Sequence, residues 1–122
     1  MKSEMTIENG IKKWRLPNGK MHWEDGPASE SSFAKEWWVN GKEHREDGPA
    51  FETNAGAKFW FKNGRFHRED GPAIETSFGK EWWVDGIKYT EQEYKHRMRS
   101  KKLKTIGIWK VSVNGGTSFF KS

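Results

Sequence analysis

One phrase recurs along this chain and constrains its fold more than any other feature. Residues 35–52 read "KEWWVNGKEHREDGPAFE" and residues 58–75 read "KFWFKNGRFHREDGPAIE". Residues 80–94, "KEWWVDGIKYTEQEY", begin the phrase and abandon it. The Asn-Gly or Asp-Gly dipeptide falls at 18, 40, 63 and 85, in steps of 22, 23 and 22, and Glu-Asp-Gly-Pro-Ala starts at 24, 46 and 69. A degenerate first unit, "WRLPNGKMHWEDGPA", precedes them at 14–28. Self-similarity at this period marks a repeat array, in which units that cannot bury an apolar face alone do so by stacking.

Each unit reads as β-structure. Asn-Gly between aromatic and β-branched runs is the strongest short hairpin signal, because a type I′ turn needs two successive positive φ angles. This pairs Glu36–Val39 with Lys42–Arg45, and Phe59–Lys62 with Arg65–Arg68. Asp-Gly-Pro then bends the chain, with Gly expected to tolerate unusual φ and Pro denying the ladder a donor. Short extended runs follow at Ala50–Thr53 and Ala73–Thr76, and "MTIENGIKKW" makes a further hairpin about Asn9-Gly10. Eight Trp and eight Phe against two Leu make the core aromatic, so most of these rings are expected to be structural.

At residue 90 the period changes. "YTEQEYKHRMRSKKLK" has Thr90 and Glu93 at capping-box spacing, acids in its first turn and bases in its last. Tyr94 and Met98 form an i,i+4 pair that could dock on the sheet, so a helix at 90–102 is expected to cap the array. The tail, 103–122, alternates apolar and polar residues about Asn114-Gly115-Gly116 and reads as a terminal hairpin. The expected organisation is a single domain over 1–122 with the repeat array at 12–89.

Charge is distributed unevenly. Residues 1–94 hold 14 Lys/Arg and 17 Asp/Glu, whereas residues 95–122 hold 8 Lys/Arg and no acid. No stretch reaches the roughly 20 apolar residues of a membrane span, and the N-terminus lacks a signal-peptide core. With no cysteine, disulfides and thiolate metal sites are excluded, and the expected location is the cytoplasm, with no membrane partner.

Three groups of residues could carry function. The first is His22, His44 and His67, followed at +2 and +3 by Glu24-Asp25, Glu46-Asp47 and Glu69-Asp70. One such set could bind metal or serve acid–base chemistry, but three copies favour scaffolding through cross-strand bonds, with Arg45 and Arg68 as partners. No catalytic, metal or cofactor site is expected. The second group is the tandem aromatics. Neighbours on a strand face opposite ways, so Trp37, Trp60 and Trp82 form one ladder and Trp38, Phe61 and Trp83 another. An open ladder beside Arg65 and Arg68 would stack bases or hold a protein, although the demand for burial favours covered ladders. The third group is the basic end: Lys95, His96, Arg97, Arg99, Lys101, Lys102 and Lys104 could contact phosphates or an acidic surface, or simply be solvated.

"NGKEHREDGPAFE" and "NGRFHREDGPAIE", each behind an aromatic strand, together with "WWVDGIKYTEQEY", resemble the MORN-like repeats of small proteins from tailed bacteriophages and large DNA viruses. The resemblance covers roughly residues 12–95 and leaves the tail outside the pattern. It implies antiparallel hairpins stacked into a twisted sheet and a binding role without catalysis. The expected fold is therefore mainly β, of hairpin repeats with a C-terminal helix and a terminal hairpin. The expected function is that of a virus-encoded accessory protein that binds and inhibits a host protein. The rival classes are a nucleic-acid or nucleotide binder using the aromatic ladder and the basic end, and a metal-dependent hydrolase using the His-x-Glu-Asp strings. A monomer and a homodimer paired through edge strands are both open.

Overall fold

The computed structural model describes residues 2–106, with side chains through Lys101, and the chain divides into two compact units at Lys88/Tyr89. The terminal hairpin expected at 103–122 lies outside the described residues beyond Ile106, as do the side chains of Lys102 and Lys104.

The first unit is an open antiparallel sheet with two small hairpins. Its strands are β1 (Glu4–Glu8), β2 (Ile11–Arg15), β3 (Ser29–Glu30), β4 (Ala34–Glu36), β5 (Trp38–Val39), β6 (Lys42–Glu43) and β7 (Phe51–Thr53). They continue with β8 (Lys58–Phe59), β9 (Phe61–Lys62), β10 (Arg65–Phe66), β11 (Ile74–Thr76), β12 (Gly79–Val84) and β13 (Ile87–Tyr89). Nine of them form one sheet in the order β1-β2-β3-β4-β7-β8-β11-β12-β13, while β5-β6 and β9-β10 stand as separate pairs.

The hairpin turns form where the Asn-Gly signal places them. Asn9, Asn40, Asn63 and Asp85 have φ between 50° and 53°, each followed by a positive-φ glycine. Asn18-Gly19 is the exception. There Leu16 N–H donates to Lys20 O at 2.9 Å and Gly19 N–H to Leu16 O at 2.8 Å, a three-residue loop rather than a two-residue one. Pro17 is the reason: a type I′ hairpin needs an N–H at the residue before Asn, and Pro has none.

The expected strands of four residues are divided in two. Trp37 N–H donates to Ala50 O at 2.7 Å, and its carbonyl accepts His44 N–H at 3.0 Å; Trp60 does the same with Ala73 and His67. Each of these tryptophans therefore hands the chain from the main sheet to its hairpin, so Glu36 and Phe59 pair in the sheet while only Trp38–Val39 and Phe61–Lys62 pair across the turn. The alanine of Glu-Asp-Gly-Pro-Ala joins one repeat to the next: Ala28, Ala50 and Ala73 donate to Glu36 O, Phe59 O and Glu81 O, each at 2.8 Å. All three are fully buried. Every described tryptophan is half-buried, because one sheet layer lets rings shield each other without a second layer to enclose them.

The register sets a ladder of alternating charge across the sheet. Lys12 faces Glu30, Glu30 faces Lys35, Lys35 faces Glu52, Glu52 faces Lys58, Lys58 faces Glu75 and Glu75 faces Lys80. Opposite charges directly across strands contribute roughly 0.2–1 kcal/mol each, and a slip by one residue would send the whole set to the other face.

The second unit holds α1 (Glu91–Ile106), which starts at the predicted place and continues past residue 102. Its capping box is formed: Thr90 N–H donates to Glu93 Oε1 at 2.9 Å, and Glu93 N–H to Thr90 Oγ1 at 3.1 Å. Tyr94 is buried and Met98 half-buried, on the face their spacing predicts. No described helix is long and apolar enough to cross a membrane.

Lys58→Glu, which sets like charges against both Glu52 and Glu75, should lower stability by about 1–2 kcal/mol in denaturant unfolding. The difference from wild type should shrink in roughly 0.5 M salt, where exposed charges are screened; Lys58→Met serves as the neutral control.

Candidate functional site

The repeated histidines tie each repeat to the next. Asn40 N–H donates to His22 Nδ1 at 3.0 Å, Asn63 N–H to His44 Nδ1 at 3.0 Å, and Asp85 N–H to His67 Nδ1 at 3.1 Å. Each imidazole thus accepts the outward amide of the following repeat's turn. With Nδ1 accepting, Nε2 carries the proton and faces a carboxylate: Glu24 at 3.2 Å, Glu46 at 2.5 Å and Glu69 at 2.9 Å. Both ring nitrogens are engaged within the fold, which is the scaffolding arrangement. Among the described residues no three His, Asp or Glu side chains converge as a metal site.

The arginines clamp the outer tryptophans. The Arg45 guanidinium lies 3.8 Å from the Trp37 ring centre, and that of Arg68 lies 3.8 Å from Trp60. Arg68 Nε donates to Asp70 at 2.8 Å, and Nη1 to Pro72 O at 3.0 Å and Glu75 at 3.3 Å; Arg45 repeats the first two on Asp47 and Pro49 and forms an ion pair with Glu52 at 3.7 Å. The glycine of Asp-Gly-Pro has its role here. Gly48 and Gly71 do not adopt positive φ, contrary to the sequence expectation. Instead, a Cβ would lie 3.0 Å from Arg45 Cζ at Gly48 and 2.9 Å from Arg68 Cζ at Gly71, so a side chain there would make the guanidinium shift from its tryptophan. In the first repeat Trp23 takes the arginine's place and stacks on Trp14, with centroids 3.7 Å apart and planes 5° apart.

Two successive bends, with Trp60 between them, frame an open groove of about 590 Å³. Arg45, Glu46, Asp47, Gly48 and Pro49 form one wall, His67, Arg68, Glu69 and Asp70 the other, with Lys62 also in the lining. The cations are drawn inward, whereas Asp47 and Asp70 are 88% and 87% exposed. His44 and then Lys62, bonded to Glu46, hold its carboxyl below the usual range. Asp25, Asp47 and Asp70 therefore mark a row with one acid pair per repeat.

The reverse face is aromatic. Phe61 stacks on Phe66 at 4.4 Å, Phe66 meets Trp83 at 5.2 Å and Phe59 at 6.4 Å, and Phe51 meets Phe59 at 5.4 Å. Trp38 and Trp83 donate Nε1–H to Glu36 and Glu81, each at 3.0 Å. Trp38, Phe61 and Trp83 are all half-buried in these contacts. Arg65 is exposed but lays its stem over Gly86, as Lys20 does over Gly41 and Lys42 over Gly64.

One group was not singled out from sequence. Glu43 pairs with Trp38 where the next repeat pairs Phe66 with Phe61. Burial, then the nearby Glu36, pushes its carboxyl from 4.5 up to about 7. Aligning the repeats would have exposed it as an acid in an aromatic column.

On α1, Lys95 pairs with Glu91 at 3.2 Å and the Arg97 guanidinium lies 5.4 Å from the Tyr89 ring. Arg99 and Lys101 are exposed. Comparison of the chain with protein-family models, curated proteins and solved structures finds no match.

Gly71→Ala should displace Arg68 from Trp60, lowering stability by roughly 1–3 kcal/mol and changing tryptophan fluorescence. Arg68→Ala in the Gly71→Ala background should then cost little more. Glu43 contributes in the opposite sense to a salt-bridged acid. Its folded pKa lies above the unfolded one, so stability is greatest below pH 4.5 for this group and is lost as pH rises through about 7. Glu43→Gln should therefore be roughly 1–2 kcal/mol more stable than wild type at about pH 8, and the gain should vanish near pH 4 in urea titrations.

Proposed function

We propose that this chain is a non-catalytic binding protein that takes a protein partner, through a basic segment, on the groove above Trp60. The observation that carries the reading is the groove's charge layout. Arg45 and Arg68 are turned onto tryptophan faces and carbonyls, and the most exposed charges at the rim are Asp47 and Asp70. An ionised carboxylate has about four acceptor positions, so each rim acid retains capacity toward solvent after bonding its arginine. Because turns, histidines and arginines are fixed by internal hydrogen bonds, a partner meets a surface already ordered, which lowers the entropic cost of association. The resemblance to virus-encoded MORN-like repeat proteins supplies the setting: an accessory protein acting on a host protein, with inhibition as the consequence.

A second reading has its own observation. The segment from residue 95 carries 8 Lys/Arg and no acid, a charge row suited to phosphates. In that reading nucleic acid is held by the C-terminal end, since the acidic groove rim repels it.

Immobilised full-length chain and an Asp47→Lys/Asp70→Lys variant, exposed to host lysate with and without nuclease, separate the two. A protein retained after nuclease by the wild type and reduced at least about tenfold by the variant is the expected result. Recovery of nucleic acid alone, equal for both chains and abolished by high salt, would overturn the groove reading in favour of the phosphate binder.

A further inference from the structure

The bends that carry the acids lead into alternate strands of the main sheet. Asp25 precedes β3, Asp47 precedes β7 and Asp70 precedes β11. One strand, β4 or β8, separates each of these from the next, and every pairing is antiparallel, so β3, β7 and β11 run the same way. The three bends therefore lie along one edge of the sheet, at the same ends of their strands. Successive bends are two strand spacings apart, about 9.5 Å.

That pitch selects a backbone. A polyproline II segment rises about 3.1 Å per residue and returns to the same face every third residue, about 9.3 Å on. A β-strand covers a similar distance in three residues, but its side chain then points to the opposite face. An α-helix regains one face only after seven residues, about 10.5 Å, and overshoots at each step. The lining of the groove agrees with the first. Between Asp47 and Asp70 it offers Gly48, Pro49 and the half-buried Trp60, an aromatic surface of the kind on which proline-rich segments dock. Asp47 and Asp70 each bond one arginine Nε and otherwise face solvent. Lys62, the remaining cation of the lining, is held by Glu46 at 3.2 Å. Asp25 is exposed and has no ion pair or side-chain hydrogen bond among the described residues, because Trp23 stands where later repeats have arginine.

We propose that the partner's basic segment is a polyproline II stretch with Lys or Arg at every third residue. It lies across the strands, so that successive cations meet Asp25, Asp47 and Asp70 while the residues between the last two pass over Trp60. The inference rests on the groove reading above and adds the partner's conformation and register.

Two synthetic peptides of one composition test it by calorimetric titration of the full chain at low salt. One is three Lys-Pro-Pro triplets, and the other is its isomer with the three lysines adjacent. The triplet peptide should bind at least about fivefold more tightly than the isomer. Asp25→Asn should weaken the triplet peptide roughly threefold or more and leave the thermal midpoint unchanged, since Asp25 supports no contact in the fold. Equal binding of the two peptides, lost in the Asp47→Lys/Asp70→Lys variant, overturns the register and leaves the groove reading standing. Undiminished binding to Asp25→Asn overturns the three-acid span. Binding of neither peptide at millimolar concentration overturns the groove reading along with the proposal.

Discussion

The array depends on an outward-pointing amide. A type I′ turn leaves the N–H of its first positive-φ residue outside the hairpin's own ladder, and at Asn40, Asn63 and Asp85 that amide is taken by an imidazole from the preceding repeat. One hydrogen bond contributes only about 0.5–1.5 kcal/mol net. Its position matters more than its strength, because it couples the turn of one repeat to the bend of another and sets their spacing. Tyr89 stands at the corresponding place in the fourth repeat, where the phrase breaks off and the chain turns into α1. The histidine therefore belongs to the junction between repeats, while the Glu and Asp after His44 and His67 bond within their own repeat.

A second coupling runs through arginine. Its guanidinium covers a tryptophan, closes the bend through a proline carbonyl and an aspartate, and excludes a side chain from the intervening glycine. In the first repeat a second indole covers the ring in the guanidinium's place, so a flat group without charge can fill that position. Arg68 is consequently a structural residue first, whatever it contributes at the groove wall. The same holds for Trp38, Phe61 and Trp83, whose rings pack on neighbours or donate to glutamates.

Variation between repeats is where the surface acquires character. Where one repeat has Phe59 and Phe66, the preceding one has Glu36 and Glu43, at the cost of a carboxyl pushed up to about 7. Where two loops carry an exposed phenylalanine, the middle one carries only small residues. A repeat array separates these tasks well. The common residues make the junctions, and the positions free of them differentiate.

Much of the fold was legible from the primary structure. The period, the Asn-Gly turns, the hairpins they close and the Thr90–Glu93 cap are local signals, carried by φ preferences and by hydrogen bonds a few residues apart. Even the departure at Asn18 follows locally, from the amide that Pro17 lacks. The handover at Trp37 and Trp60, the exclusion of a side chain at Gly48 and Gly71, and the unusual carboxyl of Glu43 were not legible. The first two arise inside one repeat, where its bend folds a tryptophan onto the alanine ahead and a guanidinium onto the glycine three residues on, and the third from burial of an acid in an aromatic column. Sequence determined the repeating unit, because its signals act within one turn of chain. Tertiary structure decided which side chains were left exposed, because that depends on what the packed repeats had already engaged.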